Sequence, residues 1–405
     1  MRIAILNWSN RSVGGTGTYL GAIIPILVRA GHEIAFWYEV AEPRDRGLIS
    51  LPRETPSWSV EHLGLEAALK GLEEWRPHLL YCHGLLEPAN EEKTLEIAPA
   101  VFLAHNYYGT CISGGKTFKH PAATPCDRRF GAPCLLQYYP RHCGGWNPAT
   151  MAREFRRQAD RLEVLTRYQA IVTLSTHMQR EYERHGLRAT RIFEVRHEAP
   201  AKVETTTAST AIQKDGGARR ILFVGRMDEL KGGRYLLEAL PTVVRELGET
   251  VESTFAGDGP DRMSWEQRAA ELTKAEPRLR TVFTGWVPSE TVEKLFAEAD
   301  LLVVPSVWPE PFGLVGLEAA RYRLPVAAFA VGGIPEWLHS GVNGYLADAN
   351  PPTPERLADA IVQCLQNRQQ HTRLRTGAGL ISPQLVYNQH VEALTNVFEQ
   401  VLRVA

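Results

Sequence analysis

The chain has 405 residues, 44% hydrophobic and 22% charged, with 45 basic side chains against 46 acidic ones. That length accommodates two or three domains, each with its own core. The net charge of −1 leaves no electrostatic footprint for nucleic acid, and no run approaches the ~18 apolar residues of a membrane span.

The N-terminus, Met1-Arg2-Ile3-Ala4-Ile5-Leu6-Asn7, has the pattern of a buried strand. Its apolar run is too short for a signal peptide and lacks a cleavage site, so a cytoplasmic protein is expected. Strand and helix patterns then alternate, which implies α/β architecture with parallel sheets. Strands are expected at about Arg2–Trp8, Glu33–Tyr38, Leu79–His83, Val101–His105, Ala170–Leu174 and Ile192–Val195, with helices such as Thr18–Arg29 and Leu65–Trp75 between them. After the first strand, Val13-Gly14-Gly15-Thr16-Gly17-Thr18 opens a helix, where glycines let the backbone approach a phosphate. The cluster begins like a dinucleotide fingerprint, and Glu39 mimics the ribose-binding acid. The third required glycine is instead Leu20, so a nicotinamide cofactor is not expected. His83 and His105 each end an expected strand, where the ligands of open α/β sheets gather.

Four cysteines, Cys111, Cys126, Cys134 and Cys143, crowd into one loop with His120 and His142. No C-x-x-C pair is present, so the compact zinc signatures are absent and no metal is assigned to the site. A structural zinc, a disulfide and reduced packing thiols all stay open. The helical stretch Met151–Arg167 carries five arginines, which read as a solvated face or as a basic contact for an anionic acceptor or a membrane surface. Residues 199–218 are a small-residue linker with little to bury.

The pattern restarts with a strand at Arg220–Gly225, followed by strands near Ser253–Ala256, Val282–Thr284, Leu301–Val304 and Val326–Phe329 and a last amphipathic helix at Val391–Val401. Arg226 and Lys231 flank a turn after the first of these strands, and both could address one anion. Gly257-Asp258-Gly259-Pro260 and Gly332-Gly333-Ile334-Pro335-Glu336 are further turns at strand ends. The most informative stretch is Trp308-Pro309-Glu310-Pro311-Phe312-Gly313-Leu314-Val315-Gly316-Leu317-Glu318. It sets Glu310 in a loop at a strand's carboxyl end and Glu318 about one and a half turns into the next helix. Carboxylates there can accept hydrogen bonds from sugar or ribose hydroxyls, beside a helix N-terminus that favours phosphate.

This segment resembles the E-x7-E motif of the retaining GT-B glycosyltransferases of family 4, and the resemblance runs through most of the chain. It implies two Rossmann-like domains facing each other across a cleft, with a C-terminal helix crossing back to the first. The expected divisions are an acceptor domain at 1–198, a linker at 199–218, a donor domain at 219–384 and the helix at about 385–405. It further implies transfer of a hexose-type sugar from a nucleoside diphosphate sugar, a UDP- or GDP-sugar, with retention and without a cofactor. Arg226 and Lys231 would hold the diphosphate, Glu310 the donor sugar and Glu318 the ribose. Gly14, Gly15, Phe312, Gly313, Leu314, Gly332 and Gly333 would complete the donor site. His105 would sit at the donor sugar, and His83, Asn106 and Tyr107 would face the acceptor. Where the family often has His-Asp, this chain has His105-Asn106. The acceptor would be a glycan, a lipid-linked sugar or a natural product, selected by the loop from Tyr107 to Trp146, with peripheral membrane contact as one setting. A GT-B phosphorylase, a nucleotide-sugar epimerase and a silent nucleotide-sugar-binding subunit are the alternatives. No feature specifies an oligomeric state.

Overall fold

A computed structural model describes residues 1–11, 14–41, 47–191, 217–381 and 383–404. Its strands, in chain order, are β1 (Arg2–Ser9), β2 (Glu33–Val40), β3 (Ser57–Ser59), β4 (Leu79–Cys82), β5 (Ala100–Ala104), β6 (Thr117–Phe118), β7 (Thr124–Pro125), β8 (Ala170–Thr173) and β9 (Ala189–Arg191). The second half adds β10 (Arg219–Val224), β11 (Val251–Ala256), β12 (Leu279–Gly285), β13 (Leu301–Val304), β14 (Val326–Phe329) and β15 (Gly344–Ala347). Two units result. The first comprises Met1–Lys116, Asp127–Glu194 and Gln384–Ala405, and the second Thr117–Cys126 and Val195–Pro383.

The first unit holds a seven-stranded sheet in the order β3-β2-β1-β4-β5-β8-β9, parallel throughout. The second holds a six-stranded parallel sheet in the order β12-β11-β10-β13-β14-β15. Every residue of β4, β5, β13 and β14 is buried. Unbroken apolar runs like these suit strands covered on both faces, as parallel sheets demand. In each sheet the strand order reverses beside its first strand, between β1 and β4 and between β10 and β13. Ligands of open sheets bind at the carboxyl ends of such switch points.

The C-terminal helix Pro383–Val404 serves the first unit. Its His390 Nε2 lies 2.6 Å from the Tyr19 hydroxyl, and Phe398 packs edge-on against Tyr81 at 5.2 Å. Five short strands, β3, β6, β7, β9 and β15, are absent from the sequence reading because each is too brief to show a period. The expected strand at Ile192–Val195 and most of the 199–218 linker lie outside the described residues. The loop from Tyr107 to Trp146 divides: Thr117–Cys126, including the hairpin β6-β7, groups with the second unit, although the sequence reading kept it with the first.

The rest of that loop has a core of its own. Ile112, Phe130 and Tyr138 are buried there, with Cys134, Cys143, Met151 and Phe155 packed against them. Those two thiols are therefore packing groups. Among the described residues no disulfide joins the cysteines, and no cluster of three ligand-type side chains forms a metal site. The arginine-rich helix Pro148–Leu165 is only partly a solvated face. Arg157 Nε donates to the Leu86 carbonyl at 2.9 Å, and Arg161 donates to Leu85 and Leu86 at 3.2 and 3.0 Å while lying 4.2 Å over the Tyr108 ring.

Lys116 anchors the loop. Its ammonium pairs with Glu181 where both side chains are nearly inaccessible, at 4% and 3% exposure, and donates to the Arg128 carbonyl at 2.6 Å. Burial pushes the Glu181 carboxyl above the usual range, and Lys116 is the main charge pulling it back. Lys116→Met would leave that carboxylate only partly compensated, by Arg184 at 3.1 Å, at a cost of about 3 kcal/mol near neutral pH. Denaturant unfolding followed by fluorescence should show this loss, and Lys116→Met with Glu181→Leu should recover most of it.

Candidate functional site

In the second unit the site is assembled by the loops that follow β10, β13 and β14. After β10 the chain turns through Arg226-Met227-Asp228, and Asp228 caps the next turn by accepting from the Lys231 amide at 3.0 Å. The Leu230 carbonyl then accepts from the Val307 and Trp308 amides at 2.9 and 3.1 Å and from the Ser306 hydroxyl at 3.2 Å. One carbonyl thus ties the β10 loop to the β13 loop across the switch point. Gly232, at φ +69°, permits this approach, since a Cβ there would collide with the Pro305 carbonyl.

The tie delivers Lys231 to Glu310. Their Nζ and Oε1 atoms are 2.7 Å apart, with Glu310 buried and Lys231 partly open, and the same ammonium lies 5.0 Å over the Trp308 ring. The β14 loop closes the arrangement, because the Gly333 amide donates to the Glu310 carbonyl at 2.7 Å. Gly332, at φ +58°, sits so close to Glu310 that any Cβ would strike its backbone. Gly333's N–H is spent on that bond, leaving Gly332 as the turn's remaining candidate donor to a phosphate. Arg226 is 69% exposed and held only by Asp228, at 3.3 Å, so its guanidinium is open to an incoming anion.

The segment after Glu310 differs from the sequence reading. Its helix is Val315–Ala320, only six residues, so Glu318 stands in the first turn and little macrodipole builds up. Phe312 is buried, and its carbonyl accepts from Trp337 Nε1 at 2.7 Å, so its ring serves packing. Gly313 and Leu314 are half-buried beside it. Burial raises the Glu318 carboxyl to about 7, with Arg321 the charge that opposes the shift.

In the first unit, Gly14 and Gly15 are exposed at the start of the helix Gly14–Arg29. His83 Nδ1 and His105 Nε2 are 2.7 Å apart beyond the carboxyl ends of β4 and β5. Burial holds both rings neutral: His83 lies well below the usual range, and His105 is pushed down to about 3 with the charge of His390 adding to the effect. His105 therefore acts as a neutral hydrogen-bonding group, and its Nδ1 is the ring atom left to meet a ligand. Tyr19 stands edge-on to His105 at 5.1 Å and shares a 2.6 Å bond with the Tyr81 hydroxyl. Tyr19, Tyr81 and His390 escape sequence reading, because only the fold brings them together. Asn106 is exposed. Tyr107 is buried with its hydroxyl 2.7 Å from His177 Nε2, which removes it from the acceptor-facing set.

Glu39 has a structural task. Its carboxylate accepts from the Leu86 amide, from the Glu87 amide at 3.2 Å and from Asn90 Nδ2 at 2.8 Å, just ahead of the helix Pro88–Thr94. A carboxylate engaged in this way cannot serve a dinucleotide ribose. A separate cavity of about 530 Å³ in the second unit is lined by Lys119, Tyr235, Asp261 and Trp265 among others, and by none of Arg226, Lys231, Glu310 or Glu318.

The chain as a whole has the fold of solved GT-B glycosyltransferases. HepE of Anabaena, solved in complex with UDP, superimposes with a TM-score of 0.62 over 99% of both chains at 18% identity. Sucrose-phosphate synthase of Thermosynechococcus elongatus gives 0.66 over the full length of both, also at 18% identity. Residues 218–367, within the second unit, match the family described as Glycosyl transferases group 1. Among relatives, an uncharacterized glycosyltransferase, MJ1607, of Methanocaldococcus jannaschii is 35% identical over 159 residues, covering 39% of this chain and 38% of that protein. The 2-deoxystreptamine glucosyltransferase of Streptomyces kanamyceticus is 35% identical over 136 residues, 34% of each chain. The chain thus aligns with well under half the length of these relatives. No helix among the described residues is long and apolar enough to cross a membrane.

The Glu318 carboxyl sits at about 7 in the folded protein against an ordinary value of 4.5. Between those values the native state holds a proton that the unfolded chain has lost, so this residue's contribution to stability falls as pH rises through about 7. Glu318→Gln removes that titration. In thermal melts, the variant's advantage over the parent should widen from about pH 5 to about pH 8 and then level off.

Proposed function

We propose that the chain transfers a hexose-type sugar from a nucleoside diphosphate sugar to an acceptor hydroxyl, with retention at the anomeric carbon. The observation that carries this reading is the Lys231–Glu310 pair at the switch point of the second sheet, with Arg226 open beside it. A sugar-binding carboxylate held by a phosphate-binding cation is economical: one pair addresses both halves of the donor.

In this reading Arg226 and Lys231 bind the diphosphate and stabilise the negative charge that grows on it as the glycosidic bond breaks. Glu310 accepts hydrogen bonds from donor-sugar hydroxyls, and Glu318 from the ribose hydroxyls. Ribose binding favours the ionised form of Glu318, so donor affinity should rise with pH through about 7. The exposed Gly14 and Gly15 amides and the neutral His105 are the first unit's contributions to donor and sugar, and His83 fixes the His105 ring. The bond from sugar to phosphate breaks and one to the acceptor oxygen forms on the same face, while the acceptor's proton passes to the leaving phosphate oxygen. No carboxylate then has to act as a covalent nucleophile. A UDP- or GDP-sugar is the proposed donor, and a glycan, lipid-linked sugar or natural product the proposed acceptor.

A thermal-shift panel of UDP, GDP, ADP, dTDP and NAD tests this directly. One nucleoside diphosphate should raise the melting temperature, and Arg226→Ala and Lys231→Ala should each weaken its binding about 10- to 100-fold. With the matching sugar donor, Glu310→Ala should abolish transfer, and the product's anomeric proton should report retention. A shift with NAD alone, sugar release that depends on inorganic phosphate, or undiminished transfer by Lys231→Ala would each overturn the proposal.

A further inference from the structure

Residues 127–157 carry six arginines against two acids, Asp127 and Glu154, a local charge of +4 in a chain whose total is −1. The same segment displays two large apolar side chains to solvent, Leu136 at 76% exposure and Trp146 at 73%. They are structurally connected. Leu136 lies in the short helix Pro133–Gln137, one turn before Tyr139, and the Tyr139 ring stacks on Trp146 with centroids 5.8 Å apart and planes 13° from parallel. The chain folds back just after this helix, with the Arg141 amide donating to the Gln137 carbonyl at 3.0 Å and the Cys143 amide to the Tyr138 carbonyl at 2.9 Å.

The inner side of this hairpin already has its core: Cys134, Leu135 and Cys143 pack with Ile112, Phe130 and Tyr138 against the helix Pro148–Leu165. Leu136 and Trp146 take no part in that core and point out of it. On the same segment, Arg153 is 71% exposed, and Arg128, Arg129 and Arg156 are exposed as well. An exposed apolar pair on an arginine-rich segment has a specific complement. Two side chains are too small an apolar area for a stable protein interface, which buries about 800 Å² per partner. An indole edge and a leucine inserted at the boundary between headgroup and acyl chain, with guanidinium groups among anionic headgroups, fit a lipid surface.

We propose that the loop 127–147, backed by the helix Pro148–Leu165, docks the protein on an anionic membrane by seating Leu136 and Trp146 in the interface while Arg128, Arg129, Arg153 and Arg156 engage the headgroups. This goes beyond the transferase reading and does not depend on it. A protein docked in this way would work on acceptors embedded in, or released at, that surface.

Cosedimentation of the full chain with vesicles tests the proposal without any activity assay. The protein should bind phosphatidylcholine vesicles containing phosphatidylglycerol and should not bind phosphatidylcholine alone. Leu136→Ser with Trp146→Ser should lower partitioning at least tenfold, an effect of about the size expected for two inserted apolar side chains. Arg153→Gln with Arg156→Gln should lower it by about twentyfold, near fivefold per charge removed, and added salt should weaken the parent's binding. An unchanged melting temperature would show that both double variants still fold. Lack of binding to anionic vesicles, equal binding to neutral ones, or double variants that bind like the parent would each overturn the proposal. A parent dimer in light scattering that the Leu136→Ser, Trp146→Ser variant converts to monomer would also overturn it, by assigning the patch to a second copy of this chain.

Discussion

The candidate site of the second unit depends on a single carbonyl. Leu230 accepts two backbone amides and one hydroxyl from the loop after β13, and that knot joins the loops after β10 and β13 at the switch point. Without it, the ammonium of Lys231 would have no fixed position. With it, a lysine from one loop and a glutamate 79 residues later meet at hydrogen-bond distance. The glycines of these loops follow from the same constraint. Gly232 and Gly332 stand where the backbone of a neighbouring loop passes too close for a side chain, so the site is shaped by backbone proximity before any side chain contributes.

The two switch points handle charge in opposite ways. The second unit keeps an ion pair beyond the carboxyl ends of its central strands, where one partner reaches solvent and can exchange its partner for a ligand's charge. The first places histidines and tyrosines in its switch-point region and drives them to neutrality by burial. A neutral imidazole pair can orient hydroxyls without attracting counter-ions, and a half-open ion pair can greet a diphosphate.

Much of this was legible in the sequence, because the relevant signals are local. Buried parallel strands are uninterrupted apolar runs, and the loops at their ends carry glycine, proline and paired charges, so Arg226, Lys231, Glu310, Glu318, His83 and His105 all stand out by position. Other features were hidden by distance. Tyr19 and His390 are 371 residues apart, and nothing in either neighbourhood announces the other. Glu39 resembled a ribose ligand until the fold brought the amides of Leu86 and Glu87 to it. Phe312 and Tyr107 belong to chemically suggestive motifs yet are consumed by packing. The helix after Glu310 begins later than its sequence suggests, at Val315, because Gly313 takes a positive φ of 87° outside it.

The return of residues 384–405 to the unit that contains β1 has a consequence for how the protein is made. At ribosomal rates of about 5–20 residues per second, the Tyr19 hydroxyl waits on the order of twenty seconds to over a minute for His390 to be synthesised. Throughout that interval the first sheet exists without the helix that covers Tyr81, while most of the second unit, continuous from 217 to 381, can condense as soon as it emerges. The half of the polypeptide translated first is thus the half finished last, and its nascent form is the stage at which a chaperone would have a surface to hold.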